Sequence, residues 1–291
     1  MTVTVPQPGQ SIAIATVPNL RDIGGWRTPY GVVRRGIAYR SAQFSALSGA
    51  DAIRFADLGI RAVFDMRTAA EREQQPSELP DGTRGVVVDI LRDATGAAPA
   101  QLLAVLGDPD AAREMLGEGK AIALFESGYR QIVGLPSARS GYRRFYSELL
   151  DPAYVPAVFH CSTGKDRTGW GAAALLLLLG VSYDDVLEDY LLTNVQLLPS
   201  LQPVLDRFAA AGGDPELLMP VLGVRREYLD AALAEMEDRF GTIDDYFSAG
   251  LGLNDEDIAL LRATFIEPDY TADATAPIGI ISMGGRRETG A

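Results

Sequence analysis

Cysteine and histidine each occur once in this chain of 291 residues, and the two, His160 and Cys161, are neighbours. One cysteine excludes an intramolecular disulfide framework, and one Cys with one His cannot furnish a Cys/His zinc site. Basic residues are also scarce: 26 Lys and Arg face 39 Asp and Glu, a formal net charge of −13. Such a chain is a poor generic binder of nucleic acid or anionic membrane, so a polyanionic substrate has to be captured by a local basic pocket. Long apolar runs are missing as well. The most apolar stretch, Ala172–Leu179, is far short of the ~20 residues a membrane helix needs. The start of the chain, MTVTVPQPGQSIAIA, lacks the basic and apolar regions of a secretory signal. A cytoplasmic protein is the expectation, with export lacking a recognisable signal left open.

What is present is an ordinary globular balance, 47% hydrophobic and 22% charged, in a length that suits one elaborated domain with a sizeable core. Residues 1–17 carry Pro6, Pro8 and Gly9 and read as an arm; residues 267–291 read as a polar, Gly-rich tail in which Ile278–Ile281 could pair as an edge strand. Between them, 18–266 shows neither linker nor repeat. Short β-branched runs predict strands at Val32–Arg40, Ala62–Asp65, Val86–Ile90 and Val155–Phe159. Helical patterns fall at Ser48–Leu58, Ser140–Leu150, 169–179, 183–194, 200–211, 225–240 and 255–265. Strands alternating with helices, followed by a helical run, predict an α/β three-layer domain around a largely parallel sheet. The stretch 94–139, with helices at Pro99–Leu106 and Pro109–Leu116, is long for a connection and reads as a helical lid insertion, with a disordered insertion or helices packed on the domain's flank as the alternatives.

Chemistry concentrates in Val158-Phe159-His160-Cys161-Ser162-Thr163-Gly164-Lys165-Asp166-Arg167-Thr168-Gly169. An apolar run ends at His160, a small loop follows, and a helix starts near Arg167. A loop feeding a helix N-terminus aims several backbone N–H groups at one point, with the positive end of the dipole behind them, and so binds an oxyanion. Cys161 at its mouth is expected to be held as thiolate. Arg167 can return to the rim and grip two phosphoryl oxygens. Nucleophile, amide cradle and Arg clamp are the parts for phosphoryl transfer through a cysteinyl-phosphate. Ser162, Thr163, Gly164, Lys165 and Thr168 line the cradle. Thr168 can donate its hydroxyl to the sulfur, Gly164 permits a turn that a side chain would block, and His160 orients the loop rather than acting as a base.

The segment resembles the signature of cysteine-dependent protein tyrosine phosphatases, specifically the bacterial and fungal branch with Gly-Lys-Asp-Arg in the loop. Asn19-Leu20-Arg21-Asp22, Tyr39-Arg40-Ser41-Ala42, Asp65-Met66-Arg67 and Leu222-Gly223-Val224-Arg225-Arg226 are similar to further motifs of that branch. Thr163 departs from it, since an alanine is common there. The resemblance implies the α/β phosphatase fold and phosphomonoester hydrolysis with no metal or other cofactor. Lys165 and Asp166 accompany, in that branch, activity on phosphotyrosine, phosphoserine/threonine and, for some members, phosphoinositides. It also implies an aspartate as general acid after the third strand. Asp93 is the first choice, Asp166 the rival, and Asp89 structural. Arg67 is expected in an ion-pair network with Asp65 and Glu71. Tyr129 and Arg130 fall in a lid-end segment.

The leading reading is a phosphatase of phosphorylated proteins in which Cys161 attacks, Arg167 clamps and an aspartate gives the proton. The alternatives are a phosphoinositide phosphatase, a non-catalytic phosphate reader and a sulfur carrier with a loop cysteine. No nucleic-acid partner and no membrane insertion is expected, and the oligomeric state is not read from the sequence.

Overall fold

The β-branched runs assemble into two sheets. The computed structural model describes residues 6–44, 47, 49–94 and 108–269. In chain order the strands are β1 (Arg21–Asp22), β2 (Arg27–Thr28), β3 (Gly31–Val33), β4 (Ala38–Ser41), β5 (Ala62–Asp65), β6 (Arg84–Val87), β7 (Ala157–His160) and β8 (Ile266–Glu267). The central sheet has the order β1-β4-β7-β5-β6, with β4, β7, β5 and β6 parallel and β1 antiparallel at one edge. β2, β3 and β8 form a small antiparallel sheet.

β4, β5 and β7 are buried at every residue, as parallel strands covered on both faces must be. Side-chain alternation divides them between two layers. Tyr39, Val63 and Val158 pack with Phe55 and with Ile14, Val17 and Leu20 on one face. Ala38, Phe64 and Phe159 join Phe145 and the main helical core on the other. The result is the expected α/β architecture, a mixed, largely parallel sheet between helices. Register sets Ser41 and Asp65 on either side of His160. The carboxyl ends of β4, β7 and β5 therefore meet where the loop leaves β7, the crevice in which open α/β sheets hold ligands.

The helices are α1 (Gly49–Asp57), α2 (Ala69–Gln74), α3 (Pro109–Leu116), α4 (Lys120–Gly134), α5 (Pro136–Glu148), α6 (Arg167–Leu178), α7 (Tyr183–Ala210), α8 (Met219–Leu222), α9 (Arg226–Phe240), α10 (Ile243–Asp245) and α11 (Asp255–Phe265). α6 is buried at every residue but Leu177, which accounts for its Ala/Leu-rich sequence. Among the described residues no helix is long and apolar enough to cross a membrane.

Several expected elements are redrawn. The Val32–Arg40 run is split: Asp22 Oδ1 and Oδ2 accept from Gly24 N–H and Gly36 N–H at 2.8 and 2.7 Å, and Gly36 takes a φ of +75°. That turn sends β3 to the small sheet and β4 to the large one. The strand expected over Val86–Ile90 pairs instead over Arg84–Val87. The helices expected at 183–194 and 200–211 are one helix that runs through Pro199 and Pro203. Its far half buries Leu205 and Phe208 against Ala112, Leu116 and Leu218. Burial at roughly 2 kcal/mol per such side chain is of the size of the ~3 kcal/mol that an interior proline costs. Within 94–139, α3 stands where expected and α4 was not anticipated; α4 packs its Tyr129, Ile132 and Val133 into the core. The expected helix at Pro99–Leu106 and strand at Ile278–Ile281 lie outside the described residues.

Candidate active site

The loop between β7 and α6 is shaped by what its carbonyls do. Cys161 O faces His160 Nδ1 at 3.0 Å. Ser162 O accepts from Gln43 N–H at 3.1 Å. Thr163 O and Gly164 O accept from Asn19 Nδ2 at 3.3 and 3.1 Å, and Gly164 O also accepts from Arg40 Nη2 at 3.0 Å. Each tie pulls a carbonyl outward. Among the described residues the N–H groups of residues 162–166 make no hydrogen bond, and buried or half-buried donors of that kind need an acceptor. Gly164 has a φ of +67°, and a Cβ there would stand 2.1 Å from Ser41 O. Only glycine lets the loop approach β4 so closely.

Behind the loop lies a buried charge cluster. Arg21 Nε and Arg40 Nη1 donate to Asp189 Oδ1 and Oδ2 at 3.0 and 2.7 Å, and all three residues are buried. Arg21 Nη1 donates to Asn19 Oδ1 at 2.5 Å, which aims the Asn19 amide at the loop. Burial, then Arg40, depress the Arg21 guanidinium to about 10 against the pull of Asp189. Burial alone would raise the Asp189 carboxyl, but the two arginines hold it below its usual range. Two cations and one anion leave a net positive charge behind the cradle, which suits an anion in front of it. Arg21 and Arg40 belong to the motifs singled out in the sequence; Asp189, inside a long helix, carried no signal.

In front, Glu71 supports the arginine. Arg167 Nη1 and Nη2 donate to Glu71 Oε2 and Oε1, both at 2.7 Å, and the Ser162 hydroxyl donates to Glu71 Oε1. Glu71 is the N3 residue of a capping box with Thr68 on α2, and Thr68-x-x-Glu71 was a legible signature of that helix start. Burial works against the ionised Glu71 carboxyl, yet Arg167, Ser162 and Thr68 hold it well below the carboxylate range. Burial likewise opposes the Arg167 charge, and the Cys161 sulfur and Glu71 reverse this and raise its pKa. The expected Arg67 network is accordingly corrected: Arg67 pairs with Asp65 at 2.6 Å, while Glu71 goes to Arg167.

Cys161 is a free, buried cysteine. His160 is fully buried, and a carbonyl partner on Nδ1 requires the proton there; burial pushes its pKa down. Thr168 Oγ1 is buried with no partner among the described residues. Lys165 Nζ donates to Asp166 Oδ1 at 2.8 Å and sits 4.1 Å from the centroid of Phe125 on α4. Tyr129, also on α4, donates its hydroxyl to Asp166 Oδ1 at 2.8 Å. Asp93 Oδ2 accepts from Ser137 N–H at 2.7 Å at the start of α5, and its Oδ1 lies 3.6 Å from Arg92 Nε. Asp89 Oδ1 accepts from Leu91 N–H in a local turn. Among the described residues no group of three or more His, Cys, Asp or Glu could hold a metal ion.

Comparison with known proteins agrees with this architecture. A family model described as the tyrosine phosphatase family matches residues 12–267. A putative tyrosine-protein phosphatase of Cupriavidus necator is 32% identical over 89% of this chain and 90% of its own. The triple specificity protein phosphatase PtpB of Mycobacterium tuberculosis is 29% identical over 78% of this chain and 89% of its own. A tyrosine-protein phosphatase of Nostoc commune is 26% identical over 77% and 72% of the two chains. With a loop built to receive an oxyanion beside a lone cysteine, and a match over most of its length, the chain belongs to the tyrosine phosphatase family of cysteine-dependent phosphatases.

Proposed function

We propose that the protein hydrolyses phosphomonoesters of phosphorylated proteins through a phosphoenzyme on Cys161. The observation that carries this is the loop of residues 162–166, whose carbonyls are tied outward and whose N–H groups are left unpaired beside Cys161 and Arg167. The N–H groups and Arg167 bind the phosphoryl oxygens. The Cys161 thiolate attacks phosphorus, an S–P bond forms and the ester P–O bond breaks. The departing oxygen takes a proton from an aspartic acid. Water then attacks phosphorus, returns a proton to that aspartate, and inorganic phosphate leaves with the thiolate restored. The unpartnered Thr168 hydroxyl is free to donate to the sulfur as it departs. His160 orients the Cys161 carbonyl.

Of the two aspartates, Asp166 is the better acid. Its carboxyl lies on the loop beside Lys165, whereas Asp93 is engaged by Ser137 and Arg92. Lys165, buried and paired with Asp166, supplies a point charge beside the loop for a second anionic group of the substrate, the alternative being a structural pair with Asp166 alone. Phe125 and Tyr129 rest on Lys165 and Asp166, which supports reading the 94–139 insertion as a cover over the loop. The names of the relatives, tyrosine phosphatases and one triple specificity protein phosphatase, support phosphotyrosine proteins as substrates, with phosphoserine, phosphothreonine and phosphoinositides as further classes to test.

The test is a panel of phosphotyrosyl, phosphoseryl and phosphoinositide substrates with wild type, Cys161→Ser, Asp166→Asn and Asp93→Asn. Cys161→Ser should lose turnover, Asp166→Asn should lose most on poor leaving groups, and Asp93→Asn should lose stability rather than chemistry. Full activity in Cys161→Ser would overturn the mechanism.

A further inference from the structure

An aspartate at a helix N-cap normally turns its carboxylate onto the first free N–H groups of that helix. Asp166 is the N-cap of α6 and makes no such bond. Its side chain is turned aside instead, towards α4. There Tyr129 OH and Lys165 Nζ both stand 2.8 Å from Oδ1, and among the described residues neither donates to Oδ2.

We infer that Tyr129 is the positioning residue for the Asp166 carboxyl: its hydroxyl fixes Oδ1 and leaves Oδ2 to carry the proton given to the leaving oxygen. The inference rests on the reading of Asp166 as general acid. A protonated carboxyl bears its hydrogen on one oxygen and accepts through the other. Two donors on Oδ1 assign the accepting role to that atom and the proton to its partner.

Tyr129 is itself immobilised. It is buried, its ring meets that of Tyr190 edge-on at 6.2 Å, and it lies 5.6 Å from the Tyr228 ring. The Tyr129 and Tyr190 hydroxyls are 2.5 Å apart. A phenol has one proton, so Tyr129, donating to Asp166, accepts from Tyr190, and the order of donation runs Tyr190 to Tyr129 to Asp166. Burial keeps both phenols protonated, and the Asp166 carboxylate, when ionised, adds to this. Tyr190 follows Asp189, the residue that pairs Arg21 and Arg40 behind the loop. The acid is thus set from the same turn of α7 that holds the cradle, through a helix that joins the loop only in the folded chain.

The experiment compares kcat/KM, which reports the first chemical step, for 4-nitrophenyl phosphate and phenyl phosphate. The first has a leaving group that needs little protonation and the second has one that needs it. Asp166→Asn should lose about 100-fold or more on phenyl phosphate and far less on the nitro ester, the size expected of a general acid. Tyr129→Phe, which keeps the ring, should lose on the order of tenfold on phenyl phosphate and stay within about twofold on the nitro ester. The double variant should match Asp166→Asn alone, and Tyr190→Phe should show a smaller loss of the same kind, which keeps the test alive should Tyr129→Phe not fold. Equal losses on both esters, or none on either, in the Tyr129 and Tyr190 variants overturn the inference while leaving the acid assignment intact. No leaving-group dependence in Asp166→Asn overturns the acid assignment, and the inference with it.

Discussion

Replacing Glu71 by glutamine puts a number on the front support of the loop. The carboxylate takes two bonds of 2.7 Å from Arg167, two of 2.9 Å from the N–H and hydroxyl of Thr68, and one from the Ser162 hydroxyl. The Glu71 side chain is 12% exposed and that of Arg167 7%, so water offers little replacement. A glutamine of the same shape removes the charge, turns an NH2 towards donors and leaves the buried Arg167 guanidinium without its paired carboxylate. Breaking a buried pair from one side costs about 3–5 kcal/mol, and the strip of solvent contact at Glu71 argues for about 3. The pH dependence follows from the depressed Glu71 carboxyl. A carboxyl with a lowered folded pKa stabilises fully above the unfolded glutamate value of about 4.3, and that contribution falls by about 1.4 kcal/mol per pH unit below it. Urea unfolding of wild type and Glu71→Gln should show a gap of about 3 kcal/mol near neutrality. Near pH 3 the gap should shrink by about 1.8 kcal/mol, because Arg167 does not titrate and only the wild type gains a proton at this site. In the same variant kcat/KM for an aryl phosphate should fall by about 100-fold as the guanidinium loses its aim. A gap that stays constant from neutrality to pH 3 would refute the ion pair as the source of the stability.

Three further outcomes can be checked independently. Gly164→Ala should cost about 2–4 kcal/mol in thermal or urea unfolding and abolish vanadate binding, because a Cβ 2.1 Å from Ser41 O adds overlap to left-handed strain. Asp189→Asn leaves Arg21 and Arg40 without a counterion and should cost about 3–5 kcal/mol; an unfolding midpoint equal to wild type would count against the cluster. His160, the one histidine of the chain, should titrate in an NMR pH series below the usual value of about 6.5, because burial lowers its pKa. Its neutral form stabilises the fold above that value, and the contribution is lost as pH falls through the window beneath it.

Local signals made much of the fold legible. Ala62–Asp65 and α3 stand where the pattern put them, since a buried apolar run and an Asp-Pro helix start are properties of adjacent residues. The local pattern divides α7 into two helices because a proline is a strong local stop, while the apolar cluster that carries the helix past Pro199 and Pro203 is assembled from α3, α8 and residues around Leu218. α2 is short, and its one local mark is the capping box of Thr68 and Glu71. Spacing alone points the Glu71 carboxylate to Arg67, the arginine nearer in sequence, and packing gives it to Arg167.

By itself the sequence determined the class of the fold and the loop: an apolar strand, a glycine turn and a helix start around His160, Cys161 and Arg167 lie within one short segment, where spacing along the chain nearly equals spacing in space. Tertiary structure alone decided what surrounds that loop. Glu71 meets Arg167 across 96 positions and Asp189 meets Arg21 across 168, and Tyr129, in the lid-end segment, reaches Asp166 from a helix that the apolar pattern does not mark. Charged and hydroxyl side chains can satisfy themselves locally or at a distance. Burial settles the choice, because once water is excluded each donor and each charge must find the partner that packing brings to it.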